Sequence, residues 1–131
     1  MPEVREELLY AGEHHVWVRP EGDRGRVRVG LDAIGLESLG ELAYLTVVMP
    51  GTKVRRGDVL GTLEAAKMTS TLLAPVSGIV VERNEAVMRD PLLVNRDPYW
   101  RGWLGLLDAP SFAEEASRLV SGAGIKPWAA A

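Results

Sequence analysis

Two strand-like runs, Asp58 to Glu64 and Thr69 to Leu73, flank Ala65-Ala66-Lys67-Met68, and no other stretch constrains the fold so tightly. The first carries Val59, Leu60 and Leu63 in loose alternation; the second is rich in Thr and Leu, and Gly or Pro bounds both. Paired with each other they form a β-hairpin whose tip presents Lys67 to solvent. Pro75-Val76-Ser77-Gly78 then makes a second turn, with Gly78 eleven residues beyond the lysine. A primary amine on a tight exposed turn is open to acylation by another enzyme. It is also what an ordinary surface lysine looks like, and spacing alone does not separate the two.

The rest of the chain reads as mainly β. Further strand-like runs occur at His15 to Arg19, Arg26 to Gly30, Leu42 to Val48, Gly78 to Glu82 and Trp103 to Leu107, separated by Gly, Pro or Asp. Asp32 to Leu39 reads as a short helix, with Asp32 as acceptor for its free N–H groups and Gly40 at the exit. Ser111-Phe112-Ala113-Glu114 has capping-box spacing. It predicts a C-terminal helix with Phe112, Ala116, Leu119 and Val120 on one face, ending at Gly122, and with Phe112, Leu119 and Val120 buried against the β body. Residues 1–122 are therefore expected to form a single domain, and the patternless 123–131 a loose tail.

Function classes are bounded by what is missing. The net charge of −3 gives no reason to expect nucleic acid or an anionic membrane as partner. No apolar run approaches the roughly 20 residues of a membrane span, and the polar, acidic start is unlike a targeting peptide. A cytoplasmic protein is the simplest expectation. With no cysteine in the chain, a thiolate metal site, a cysteine nucleophile and a disulfide framework are all excluded. Any sulfur chemistry must come from an attached group. His14 and His15 are adjacent, and neighbours on a strand point to opposite faces, so no metal site is expected from them.

Lys53 to Leu60 loosely matches Val80 to Val87 at an offset of 27. Gly57 and Asn84 then correspond, and both types tolerate the positive φ of a tight turn. Two related β-halves suit a quasi-symmetric barrel-sandwich.

The hairpin resembles the attachment hairpin of lipoyl and biotinyl domains, with Glu64 three residues before the lysine and Gly78 eleven after it. The likeness extends much further. Leu9-Tyr10, His15-Val16-Trp17-Val18, Gly51-Thr52-Lys53-Val54, Asn84-Glu85-Ala86, Val94-Asn95-Arg96-Asp97-Pro98-Tyr99 and Gly102-Trp103-Leu104 are similar to the pattern of glycine-cleavage H proteins, over roughly residues 8 to 120. The resemblance implies a barrel-sandwich hybrid of the lipoyl/biotinyl type with short flanking helices, including a C-terminal one. It implies a carrier and not an enzyme, with lipoate amide-linked to Lys67 as a swinging arm about ten single bonds long, reaching on the order of 10–15 Å. Glu64 and Gly78 would serve recognition by the attaching enzyme and the turn. The Asn-x-Asp-Pro-Tyr block reads as fold-forming.

Two departures bear on the pathway. The family resemblance places a Glu where this chain has Val16 and an Asp where it has Thr71, acids that would face a cationic aminomethyl cargo in the arm cleft. Their absence favours a sulfur cargo, as in H-protein-like lipoate-binding proteins that serve the heterodisulfide-reductase-like complex of sulfur-oxidising bacteria. The alternative is the aminomethyl carrier of glycine cleavage, with glycine decarboxylase and aminomethyltransferase as partners. Both readings imply a lipoate ligase or lipoyltransferase and dihydrolipoamide dehydrogenase. His14 is expected either to face the arm as a proton donor or acceptor or to sit on a strand surface. Lys67-Met68 also resembles the tip of biotin carriers, and a lipoylation-dependent interaction module is a further alternative.

Overall fold

The computed structural model describes residues 3–22 and 25–131. Among these residues nine strands form two antiparallel sheets. The larger contains β1 (Leu9–Ala11), β2 (Val16–Glu21), β3 (Arg26–Leu31), β5 (Lys53–Val54), β8 (Gly78–Arg83) and β9 (Gly105–Asp108), in the order β1-β2-β3-β9-β8-β5. The smaller contains β4 (Leu42–Val47), β6 (Val59–Ala65) and β7 (Thr69–Leu73), in the order β4-β6-β7. The expected hairpin is β6–β7, with Thr62 opposite Thr71 and Glu64 opposite Thr69. Between the sheets lies a core of aliphatic side chains, among them Val18, Val29, Leu45, Leu60, Leu63, Leu72, Val80 and Leu107. Inward-facing positions alternate along β2 and β3, with the alternation shifted by irregularities in β4 and β6, and the two inner faces make the sandwich. A second cluster of Leu8, Tyr10, Trp17, Tyr99 and Ile125 packs on the outer face of the larger sheet.

The helix α1 (Ala33–Leu39) forms as expected: Asp32 accepts from the Gly35 N–H at 2.8 Å, and Gly40 closes it with φ 83°. The Asn-x-Asp-Pro-Tyr block holds elements together. Asn95 bridges the Leu42 N–H and the Gly40 carbonyl, at 2.9 and 3.0 Å. The Tyr99 hydroxyl accepts from the Ala33 N–H and donates to the Glu3 carbonyl, and Trp17 donates to the Pro98 carbonyl. Two short helices missing from the sequence reading, α2 (Glu85–Arg89) and α3 (Leu92–Arg96), precede and carry this block.

Four expectations are corrected. Asn84 is not a turn residue with positive φ: at φ −82° it caps α2, and while Leu60 lies in a strand its counterpart Val87 lies in a helix, so the 27-residue repeat has no structural counterpart there. The C-terminal helix α4 (Phe112–Glu115) is one turn, followed by a 3-10 turn at Ala116–Arg118. Leu119 is extended and Val120 exchanges hydrogen bonds with Tyr10, so helical spacing fails there, although Leu119 is buried. No capping box forms at Ser111. The adjacent carboxylate, Glu115, instead accepts from the Ser77 N–H and hydroxyl, both at 2.8 Å, tying the C-terminal segment to the Pro75–Gly78 turn. Finally, Ile125–Ala130 is a helix, α5, not a loose tail: Ile125 is fully buried and the Trp128 ring lies 5.0 Å from that of Tyr10.

Candidate functional site

Lys67 lies at the exposed tip between β6 and β7, where a turn closes with the Ala65 N–H donating to the Met68 carbonyl. The tip is anchored from one side. The Ala66 N–H donates to the Glu41 carbonyl at 2.9 Å and the Lys67 N–H to the Leu39 carbonyl at 3.1 Å, both at the junction of α1 and β4. The ammonium folds back on the same element, donating to the Glu37 carbonyl at 3.0 Å. The Ala66 and Lys67 side chains lie against Gly40, whose φ of 83° is the left-handed geometry that favours glycine. Glu64 is exposed on β6, two register positions below the tip.

A cleft of about 300 Å³ opens beside this tip. Its floor is apolar, made by Leu31, Leu39, Leu63 and Leu73; Met68, Ser70 and Thr71 line the hairpin side, and Glu13, His14 and His15 the far side. Thr71 and His14 both line this cleft. Val16 does not. It begins β2 opposite Leu31 and Ala11, is wholly buried in the sandwich core, and has no surface on the cleft. Gly78 is also corrected. It is a buried strand residue at the start of β8, not a turn glycine: a Cβ there would lie 2.4 Å from the Asp108 carbonyl oxygen, so glycine is required for close approach of β8 to β9.

The two histidines occupy the Gly12–His15 turn, not a strand, which removes the premise that they point apart. Both line the cleft. His15 has φ 57°, left-handed and uncommon for a residue with a Cβ. Its Nδ1 lies 3.3 Å from Oδ1 of Asp32, whose side chain is fully buried, although the angle falls short of a well-formed hydrogen bond. Asp32 raises the His15 pKa above its ordinary value, first through this contact and further by its charge, against the opposing effect of burial. Sequence reasoning missed Glu13 and the His15–Asp32 pair. Glu13 stands beside His14 in the chain, but only the turn brings it to the cleft; Asp32 reads as a helix cap, and nothing local says that a histidine packs on it. Among the described residues no cluster of three potential metal ligands occurs, and no helix is long and apolar enough to cross a membrane.

The family model described as glycine cleavage H-protein matches residues 8–128. Glycine cleavage system H protein 1 of Caldanaerobacter subterraneus subsp. tengcongensis is 45% identical over 98 residues, 75% of this chain and 76% of that one. The glycine cleavage system H protein of Bacteroides fragilis is 38% identical over 119 residues, 91% of each. A crystal structure of a glycine cleavage system H protein from Mycobacterium marinum superposes with a TM-score of 0.74 at 32% identity, covering 88% of this chain and 98% of that one. Glycine cleavage H proteins are carriers that bear a covalently attached lipoate on a lysine. By sequence and by fold, the chain belongs to the glycine cleavage H-protein family.

Proposed function

We propose that this chain is a lipoyl carrier of glycine cleavage, modified on Lys67, and that it presents its arm to glycine decarboxylase, aminomethyltransferase and dihydrolipoamide dehydrogenase. The observation that carries the proposal is the exposed Lys67 tip held to the α1–β4 junction by two backbone hydrogen bonds, next to the cleft. The residues fit the group: the amine is accessible, and the leucine floor starting at Met68 suits an arm with an apolar stem and a short polar end. Lipoate supplies the thiol–disulfide chemistry that a cysteine-free chain lacks. A rigid tip raises the arm's effective concentration at a docked partner.

The lean toward a sulfur cargo rested on two missing acids. One of those positions, Val16, is in the core and is no part of the cleft; at the cleft itself Glu13 provides a carboxylate. A carboxylate beside a cationic cargo stabilises it by a charge-assisted hydrogen bond, of order 1.5–3 kcal/mol when shielded and less at a position as exposed as Glu13. Nothing comparable supports the heterodisulfide-reductase-like partner, and the matched relatives are glycine cleavage H proteins.

Intact-mass measurement after expression with lipoate and a lipoate ligase tests the attachment. One lipoyl addition is expected, absent in Lys67→Ala and slowed in Glu64→Ala. Addition at another lysine, or biotin in its place, would refute it. The pathway is tested by glycine–bicarbonate exchange with glycine decarboxylase, where turnover near that of an established H protein is expected and a failure to accept cargo would return the sulfur reading to first place.

A further inference from the structure

We infer that His15, oriented by the buried Asp32 carboxylate, is a specificity-determining residue of the arm cleft that holds a cationic cargo when its imidazole is neutral and releases it when the imidazole is protonated. The inference rests on the carrier reading of Lys67. It starts from three independent features of one spot. Asp32 is fully buried; one of its oxygens caps α1 and contacts His15, and the other, Oδ2, has no hydrogen-bond partner among the described residues. His15 is kept in left-handed backbone geometry to reach it, a cost borne at a cleft-lining position and not in the core. The contact with α1 is close: a Cβ on Gly35 would come within 2.7 Å of the His15 Cβ, so glycine there lets His15 lie against the helix start.

The chemistry follows from which nitrogen is occupied. With Nδ1 turned into the protein against Asp32, a neutral imidazole keeps its proton on Nδ1 and leaves the Nε2 lone pair as an acceptor on the cleft side. Neutral His15 with anionic Asp32 carries one negative charge and an acceptor, which suits an ammonium. Protonated His15 with Asp32 carries no net charge and offers a donor, which does not. A thiol or disulfide end gains nothing from the neutral form, so the pair discriminates by cargo charge.

The other groups around His15 do not duplicate this. On its own turn stand the exposed Glu13 and the half-buried His14; α1 brings Asp32; α5 brings the Trp128 ring, 5.9 Å from the imidazole. The hairpin contributes Leu63, Met68, Ser70, Thr71 and Leu73, none of which titrates. Glu13 contributes an exposed carboxylate, and of the two histidines only His15 touches a buried acid.

By linkage, a cation held at the cleft must make His15 harder to protonate. The test uses the full-length lipoylated protein with the arm reduced and both thiols alkylated, either with 2-bromoethylamine, which leaves ammonium ends, or with iodoacetamide, which leaves neutral ends of similar size. Because the chain has no cysteine, the thiols that react fastest with these reagents are those of the arm, and intact mass confirms two additions. Imidazole resonances of His14 and His15 are then titrated by NMR. The pKa of His15 is expected to be about half a unit to one unit lower with the ammonium arm than with the neutral one, a roughly three- to ten-fold loss of proton affinity, and His14 to move less. In His15→Asn, where asparagine tolerates the left-handed backbone, the chemical shift of a ¹³C-labelled aminoethyl group should lose its pH dependence near neutrality. Equal His15 titration with the two arms, or a shift confined to His14, overturns the inference and leaves the carrier reading intact. Failure of lipoate to attach at Lys67 overturns both.

Discussion

Replacing Ile125 by alanine measures whether the last helix belongs to the fold. Ile125 is fully buried in the cluster formed by Leu8, Tyr10, Trp17 and Tyr99, on the outer face of the larger sheet. The substitution removes three carbons, a transfer loss of about 2.4 kcal/mol at about 0.8 kcal/mol per carbon. A residual cavity adds to this, since the large aromatic neighbours are themselves held by hydrogen bonds donated by Trp17, Tyr10 and Tyr99 and collapse little. A total of about 3 kcal/mol follows. At roughly 2.1 cal/mol/K per residue the unfolding entropy of a chain this long is roughly 0.28 kcal/mol/K, so Tm should fall by about 11 °C. Differential scanning calorimetry is the assay, with Lys126→Ala as control. Lys126 makes only an exposed ion pair with Glu6, at 3.1 Å, and its loss should move Tm by no more than about 2 °C. If Ile125→Ala shifts Tm no more than the control does, α5 is not part of the cooperative unit and the core described here is drawn too wide.

Three further outcomes are expected. Gly78→Ala should destabilise the fold by about 1–3 kcal/mol in urea unfolding, because the new Cβ meets the Asp108 carbonyl at 2.4 Å, while the folded fraction remains a substrate for lipoylation; wild-type stability would contradict the close approach. Glu115→Ala should cost about 1–2 kcal/mol by removing both hydrogen bonds to Ser77, with Glu115→Gln recovering part of it; an unchanged midpoint in both would show the tie is unused. Because the folded state raises His15 above 6.5, its protonation stabilises the protein below about pH 6.5, and that contribution is lost as pH rises through the folded value. Tm should therefore decline between pH 6 and pH 8 more steeply in the wild type than in Asp32→Asn, which keeps the α1 cap; equal slopes would remove Asp32 as the cause.

What could be read from the chain and what could not divides by range. The β6–β7 hairpin, α1 with its Asp32 and Gly40 ends, and the exposure of Lys67 are set by neighbouring residues, and local pattern located them to within a residue. Phe112 to Val120 shows the opposite. Its apolar spacing is helical, but the Tyr10 backbone offers Val120 a bridge partner and Ser77 takes the Glu115 carboxylate, and those long-range bonds outweigh a marginal local preference. The tail looked patternless because Ile125 and Trp128 cover a second, outer cluster that no two-sheet sandwich predicts. At the site, the lysine was legible and the cleft was not. Family likeness pointed to position 16, but β2 turns Val16 inward, and the carboxylate that does reach the cleft comes from the preceding turn.

The fold-back of the Lys67 amine on the Glu37 carbonyl carries a consequence for the unmodified protein. A cation against the last turn of α1 meets carbonyls that have no helical partner, a favourable pairing for an ammonium. Acylation converts that ammonium into a neutral amide with a single N–H. The same covalent step that installs an arm therefore erases the charge that pinned the side chain down. Before modification the lysine is a clasp between hairpin and helix; afterwards the clasp is open, and the side chain is free to swing because the bond that made it useful is also the one that let it go.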